Sequence, residues 1–314
     1  MDLKSLIVKK SKLLEAIPNK FLTDVERSQK VLFNELVVLM NKLKTTADGN
    51  LVISAENYKI ANQISEDLKS VLLDSPYKDA VKDFSDEFKT LKQINDNYFN
   101  QAYPEYTSTE IGNVILSNAQ KKTVTSLLST SVDNSFIAPI EDVLINSISS
   151  GSSFLETLKA IRTTVEGGVN SSGNEVDGKL LKYAKQIAHD NFAIADRSYT
   201  NAVADELDSE WFLYDGSEVA DSRCFCLERK GKYYHYKEIE AWGRGENVGE
   251  CGSDWQGKNA DTNESNIFIL AGGYNCLDSI MPVSISIVPR SDIERAIKLG
   301  YFEPSDFEKK ELGL

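Results

Sequence analysis

All four cysteines of this 314-residue chain fall within one stretch, as Cys224, Cys226, Cys251 and Cys276. Thiols gathered in this way are placed to bond with one another or to share a metal ion. In Cys224-Phe-Cys226 the two sulfurs stand two residues apart, and on an extended backbone they would point to one face. Both could then meet Cys251 and Cys276. One outcome is a pair of disulfides, either 224–251 with 226–276 or 224–276 with 226–251, because a direct bridge across one residue is geometrically poor. A second is a four-cysteine zinc site, against the usual preference of structural zinc for Cys-x2–4-Cys pairs. The third is reduced thiols, which a cytoplasmic setting favours.

A nucleophilic cysteine needs a base, and the chain offers two histidines, His189 and His235. Cys226, His235 and Asp221 can be written as a protease-like trio, but His235 sits among tyrosines and reads more simply as a polar residue of a strand. Glu238-Ile-Glu240, downstream of Ser129-Thr-Ser131, is a faint trace of an ADP-ribosyltransferase pattern. Those glutamates fall in Lys237-Glu-Ile-Glu-Ala-Trp242, however, which reads as a helical turn, and no upstream arginine is well placed. The phosphate-binding loop, the glycine fingerprint of dinucleotide sites and the His-x-Glu deaminase signature are all missing from the sequence. Gly272-Gly273 alone indicates a bend or a close backbone approach. This reading assigns no catalytic residue and no cofactor.

The elements that must hold these residues come in two styles. Through residue 210 the chain reads as helices. Val25, Leu32, Leu36, Leu39 and Leu43 make one apolar stripe, closed by Asp48-Gly49. Ile60, Ile64, Leu68, Val71 and Leu72 make a second, and Tyr77, Val81, Phe84, Phe88, Leu91, Ile94 and Tyr98 a third that Pro104 closes. Such stripes are packing seams before they are ligand sites. Shorter helices follow over 111–128 and 137–148. Ser153-Phe-Leu-Glu156 has the spacing of a capping box, opening a helix with Leu158, Ile161 and Val165 inward. Residues 167–178 read as a polar, glycine-rich loop, and a long helix then resumes through Leu180, Ala184, Ile187 and Tyr199.

The character changes at Trp211. Strands are expected at 211–214, around Tyr233, Tyr234 and Tyr236, at 267–270 and at 283–288. Ser291-Asp-Ile-Glu294 is expected to cap a closing helix that Gly300 ends. The predicted fold is α+β, a mostly helical N-terminal region followed by a small mixed, cysteine-containing C-terminal module. The boundaries fall as 1–105 (a helical region for docking or oligomerisation), 106–210 (further helices) and 211–314 (the β-containing module).

Composition narrows the function classes. With 41% apolar and 26% charged residues the chain can bury a sizeable core. Its net charge of −13 is spread over both parts, without a basic cluster to override it, so direct reading of nucleic acid is not expected. The longest apolar runs fall short of the roughly 18 residues a membrane span needs. Met1-Asp2-Leu3-Lys4 lacks the features of a signal peptide, and the expectation is a protein made and kept in a cytoplasm until a later event.

Seven short pieces follow one another in the second part. They are Tyr214-Asp-Gly216, Asp221-Ser-Arg223, Cys226 with Arg229-Lys-Gly-Lys-Tyr233, Glu238-Ile-Glu-Ala-Trp242, Trp255-Gln-Gly257, Gly272-Gly-Tyr-Asn-Cys276 and Pro282-Val283. The succession resembles the C-terminal module of the phage Mu F-like minor head (head morphogenesis) proteins, in the subgroup with a Gly-Gly-Tyr-Asn-Cys-Arg-His box. The helical stretch ending Tyr183-Ala-Lys-Gln-Ile-Ala-His-Asp190 is similar to that family's helical part. The resemblance covers roughly 107–300 and leaves the first hundred residues unaccounted for. It departs from the family at Leu277-Asp278, which stands where Arg-His is frequent. The resemblance implies a virion component in few copies, made in the host bacterial cytoplasm and placed inside the head near the portal. Its partners would be portal and capsid proteins, beside packaged DNA without sequence-specific binding. It also implies that Cys226 pairs with Cys276, which favours 224–251 as the second bridge. Asp221, Arg223, Gly272, Gly273, Tyr274 and Asn275 would be fold determinants, with an Asp221–Arg223 ion pair fixing the turn before Cys226. Rival readings are a toxin-like effector enzyme and a cytoplasmic zinc-binding scaffold held by the four cysteines.

Overall fold

The computed structural model describes residues 3–107, 110–169, 172–216, 222–274 and 276–312. Helices dominate: α1 (Leu3–Met40), α2 (Ala55–Asp74), α3 (Pro76–Ala102), α4 (Glu110–Leu128), α5 (Thr130–Val132), α6 (Ala138–Ser150), α7 (Phe154–Glu166) and α8 (Lys179–Glu206). The later ones are shorter: α9 (Cys224–Arg229), α10 (Tyr236–Gly243), α11 (Ile267–Leu270), α12 (Arg290–Lys298) and α13 (Asp306–Leu312). The strands are β1 (Gly167–Val169), β2 (Glu175–Asp177), β3 (Trp211–Asp215), β4 (Lys232–His235) and β5 (Ser279–Val283). The fold is α+β, with the cysteines in the small sheet-containing part. Two compact units form. One gathers Met1–Ala16, Glu87–Ala119 and His189–Leu314, the other Ile17–Asp86 and Gln120–Ala188, so each is assembled from stretches that the serial boundaries at 105 and 210 keep apart.

In the unit built from 17–86 and 120–188 the apolar stripes become the core. Val25, Leu32, Leu36, Ile64, Leu68 and Leu72 are all buried, and Phe21 stacks on Phe84 at 4.7 Å. α1 ends at Met40, earlier than Asp48-Gly49, because Asn57 of α2 holds the following turn through Lys44 and Val52 backbone groups at 2.8–2.9 Å. Ser153 caps α7 as expected, its hydroxyl accepting from the Glu156 amide at 3.2 Å. The glycine-rich stretch differs from the expected loop. Gly167–Val169 and Glu175–Asp177 pair as an antiparallel hairpin, entered through the left-handed φ of +83° at Gly167.

The other unit contains a three-stranded antiparallel sheet in the order β4-β3-β5. Strand β3 is central, with Trp211 opposite both His235 and Val283, and its residues Trp211–Tyr214 are buried on both faces, which explains the unbroken apolar run. Two predicted strands are corrected. Ile267–Leu270 is the helix α11, entered through a turn in which the Asn263 side chain accepts from the Ser265 amide and its carbonyl from Ile267. At 283–288 the strand stops at Val283, because the Ser284 hydroxyl accepts from the Ser286 amide and winds Ile285–Ile287 into a 3-10 turn. The strand runs upstream instead, from Ser279, and carries Pro282 on the sheet edge, where a missing N–H is harmless. The closing helix starts at Arg290, so Ser291 lies in its first turn and caps nothing, while Gly300 ends it at φ +78° as expected.

One buried charge network belongs to this unit. The Lys10 ammonium lies 2.9 Å from Asp196 and donates to Asn95 Oδ1 at 2.8 Å and Thr200 Oγ1 at 3.0 Å. Asp196 also accepts from Asn95 at 2.9 Å and Ser279 at 3.1 Å. Burial pushes the Lys10 pKa down more than the attraction of Asp196 raises it.

Candidate functional site

Strand β3 sends Tyr214 into the core of the second unit, where its hydroxyl lies near three polar atoms from two other parts of the chain. It lies 3.4 Å from Cys226 Sγ, 3.9 Å from Cys276 Sγ and 3.5 Å from Asp278 Oδ2. Cys226 comes from α9 and Asp278 from the approach to β5. Around them pack Phe212, Phe225, Tyr234, Trp242, Trp255 and Ile267, a largely aromatic cluster with almost no access to solvent.

The extended backbone expected at Cys224-Phe-Cys226 is corrected. Arg223 is extended, but a helix begins at Cys224, so the two cysteines diverge by about 200° around its axis. Cys224 points outward and forms a disulfide with Cys251 across 5.8 Å between Cα atoms. Cys226 points inward and meets Cys276 with sulfurs 3.9 Å apart, as two buried thiols. Of the sequence alternatives, the 224–251 bridge forms, but the 226–276 bridge that the resemblance implied is corrected, because those two sulfurs stand beyond bonding distance. A four-cysteine zinc site does not form, since two of its sulfurs are bonded to each other. The helical register was legible: Phe225 and Arg229 are four apart, and the buried Arg229 guanidinium lies 3.7 Å over the Phe225 ring and 4.5 Å over Trp242.

The glycine box earns its residues sterically. A Cβ on Gly272 would fall 2.5 Å from Cys226 Sγ and 3.1 Å from Cys276 Sγ, so only glycine lets both sulfurs meet there. Gly273 has φ +103°, and a Cβ on it would lie 2.0 Å from the Gly257 carbonyl, which accepts from the Tyr274 amide at 3.0 Å. The Gly272 carbonyl accepts from Trp255 Nε1 at 3.0 Å and Arg223 Nη1 at 3.2 Å, and Arg223 also donates to the Tyr274 carbonyl. Arg223 therefore ties the box to the start of α9. Asp221 and Asn275 lie outside the described residues, and the expected Asp221–Arg223 pair with them. The Tyr274 side chain is exposed.

Two residues of this node escaped the sequence reading. Asp278 is buried, and its carboxyl is pushed up to about 7, first by burial and then by Cys276. Arg197, buried in α8, donates to the carbonyls of Cys276 at 2.9 Å and Asp278 at 3.0 Å. Its sequence context gave no signal, since Asp196-Arg197 is followed by the polar run Ser198-Tyr-Thr-Asn201, as on many solvated helices. The Cys226 thiol is pushed up by its hydrogen bond to Cys276 and by burial. Burial holds the Tyr214 hydroxyl well above its ordinary value.

The other candidates are not drawn to this node. His235 pairs with Trp211 in the sheet while Tyr214 pairs with Lys232, which sets His235 roughly 10 Å along the strand from the thiols. It is buried between Trp211 and Phe302, each at 5.4 Å, with Nδ1 accepting from the Lys237 amide at 3.4 Å. Burial, then Lys237, brings its pKa down to about 4. Glu238 and Glu240 lie in α10, the helical turn expected. Glu238 is buried and paired with Arg295 at 3.2 Å, whereas Glu240 faces an open cleft with Asp205, Glu210 and Glu264. Ser129 and Ser131 belong to the other unit, and His189 lies within α8. No helix among the described residues is long and apolar enough to cross a membrane. No family model matches the chain, and no curated protein or solved structure matches it.

Proposed function

We propose that this chain is a structural minor head protein of a tailed bacteriophage, acting inside the head near the portal in assembly and in genome packaging or delivery. The observation that carries this reading is the convergence of the resembling pieces. Tyr214, Arg223, Cys226, Trp242, Trp255, Gly272 and Cys276 span more than sixty positions, yet they share one buried node through direct contacts. Their hydrogen-bonding groups are engaged with one another, as suits residues that determine a fold. The disulfide at Cys224–Cys251 fits a protein carried outside the cell in a particle. Asp278 replaces the basic residue frequent in the family, so no role resting on that basic residue is carried over.

Mass spectrometry of purified, nuclease-treated particles tests the reading. The expected result is this chain at a few to a few tens of copies per particle, crosslinking to portal or capsid subunits. Its presence in the lysate and absence from particles would overturn the proposal and leave the effector and scaffold readings.

A further inference from the structure

We propose that Cys226, Cys276 and Asp278, with the Tyr214 hydroxyl at the fourth corner, form a binding site for one zinc-class divalent cation. The inference is independent of the phage reading, because it rests on four atoms and their surroundings.

The spacing is that of ligands rather than of a bond. At 3.9 Å the two sulfurs are far beyond the roughly 2.05 Å of a disulfide. Two thiolates each about 2.3 Å from one tetrahedral ion lie about 3.8 Å apart. Four of the five remaining edges agree: Cys276 Sγ to Asp278 Oδ2 is 3.8 Å, and Tyr214 Oη stands 3.4, 3.9 and 3.5 Å from the other three atoms. The three protein ligand atoms all lie within 4.8 Å of one another.

The surroundings match as well. Cys226, Cys276, Asp278 and Tyr214 are each at most 7% exposed, so a carboxylate and two thiols are sequestered together. A buried carboxylate needs a positive partner. The hydrogen bonds to the Asp278 carboxyl come instead from a neutral thiol and a neutral phenol, and the attraction of Lys230 and Arg197 does not offset the cost of its burial. A divalent ion would supply that charge. Binding turns both thiols into thiolates, and their two protons leave to solvent. The ion with two thiolates and one carboxylate then carries a net charge of −1. Arg197, whose guanidinium holds the Cys276 and Asp278 carbonyls, sits where it offsets that charge and fixes both ligand residues. Gly272 leaves the space that a side chain would fill. Two sulfurs select a zinc-class ion over calcium or magnesium, which take oxygen ligands. The second cluster of donors, Cys224, Glu228 and Cys251, is no equivalent, because its sulfurs are joined in the disulfide.

The test uses the full chain purified without chelator from zinc-supplemented cells, with metal measured by inductively coupled plasma mass spectrometry. One zinc per chain is expected. After removal of the zinc, cobalt(II) should give the thiolate charge-transfer and intense visible bands of a tetrahedral sulfur site. Cys276→Ser should abolish those bands. Asp278→Asn is nearly isosteric and keeps the fold testable; it should shift the bands and weaken cobalt binding by at least about tenfold. Cys224→Ser with Cys251→Ser should leave both metal content and spectrum unchanged. A folded chain without stoichiometric metal or thiolate–cobalt bands would overturn the proposal. So would a non-reduced digest in which Cys226 and Cys276 form one linked peptide.

Discussion

Replacing Lys10 by methionine would leave the Asp196 carboxylate in the interior without its cation. Asp196 is 0% and Lys10 2% exposed, so water cannot take the ammonium's place. Asn95 and Ser279 would still donate to the carboxylate, which keeps the loss within the range for breaking a buried pair, about 4 kcal/mol. Asp196→Leu strands Lys10 instead. A lysine whose pKa burial already lowers can shed its proton, so this loss is expected to be smaller, about 3 kcal/mol. The double replacement removes both charges, and with them the desolvation that outweighs their attraction. It does not restore stability fully, because the fully buried Asn95 amide loses a partner at each end, which costs about 4 kcal/mol in all. Independent effects would bring the double variant to about 7 kcal/mol, so the expected coupling is about 3 kcal/mol. Urea denaturation followed by tryptophan fluorescence reads it directly, since Trp211, Trp242 and Trp255 all lie in the same unit as the pair. Additive losses, or a Lys10→Met variant within about 1 kcal/mol of the parent, would refute the argument.

Two further perturbations follow from the same unit. The Cys224–Cys251 disulfide spans a sequence separation of 27, for which the loss of loop entropy in the unfolded chain predicts about 3.5 kcal/mol. Replacing both cysteines by serine should lower the urea midpoint accordingly, and an unchanged midpoint would mean that the bridge does not constrain the unfolded chain. His235 titrates at about 4 when folded against 6.5 when free, so as the pH falls the unfolded chain takes up the proton first. Stability should therefore decline between about pH 6.5 and 4, by up to about 3 kcal/mol. His235→Asn keeps an acceptor for the Lys237 amide and should flatten that slope in acid titrations, whereas an equally steep slope would assign the decline to other groups.

How much of this was legible in the sequence depends on whether a residue's partner is near it in the chain. The seam of α3, the Ser153 cap and strand β3 follow from local spacing and form as read, whereas α2 keeps Ile64, Leu68 and Leu72 but buries Asn57, Ala61 and Ser65 in place of Ile60 and Val71. Short apolar runs failed, because four residues fit a helix as well as a strand, and the asparagines before Ile267 decide the case. Lys10 was legible in principle. It keeps helical step with Leu6, Ile7, Leu14, Ile17 and Phe21, all buried, so a charge in that phase had to be buried and paired. Its partner was not legible, since Asp196 lies 186 positions away and nothing local marks it. The cysteine node repeats the pattern at higher stakes. The four cysteines drew attention by type, but the extended backbone assumed for Cys224-Phe-Cys226 put both sulfurs on one face and suggested four-fold equivalence. The helix at Cys224 breaks that equivalence into an outer bridge and an inner dithiol. What gives the dithiol its chemistry is Asp278, which reads in sequence merely as a departure from a familiar box. Only the register of β3 against β5, which sets Asp215 opposite Ser279, brings it to the Tyr214 hydroxyl and the sulfurs. A residue that looks like a lost function by motif is, by position, the group best placed to complete a different one.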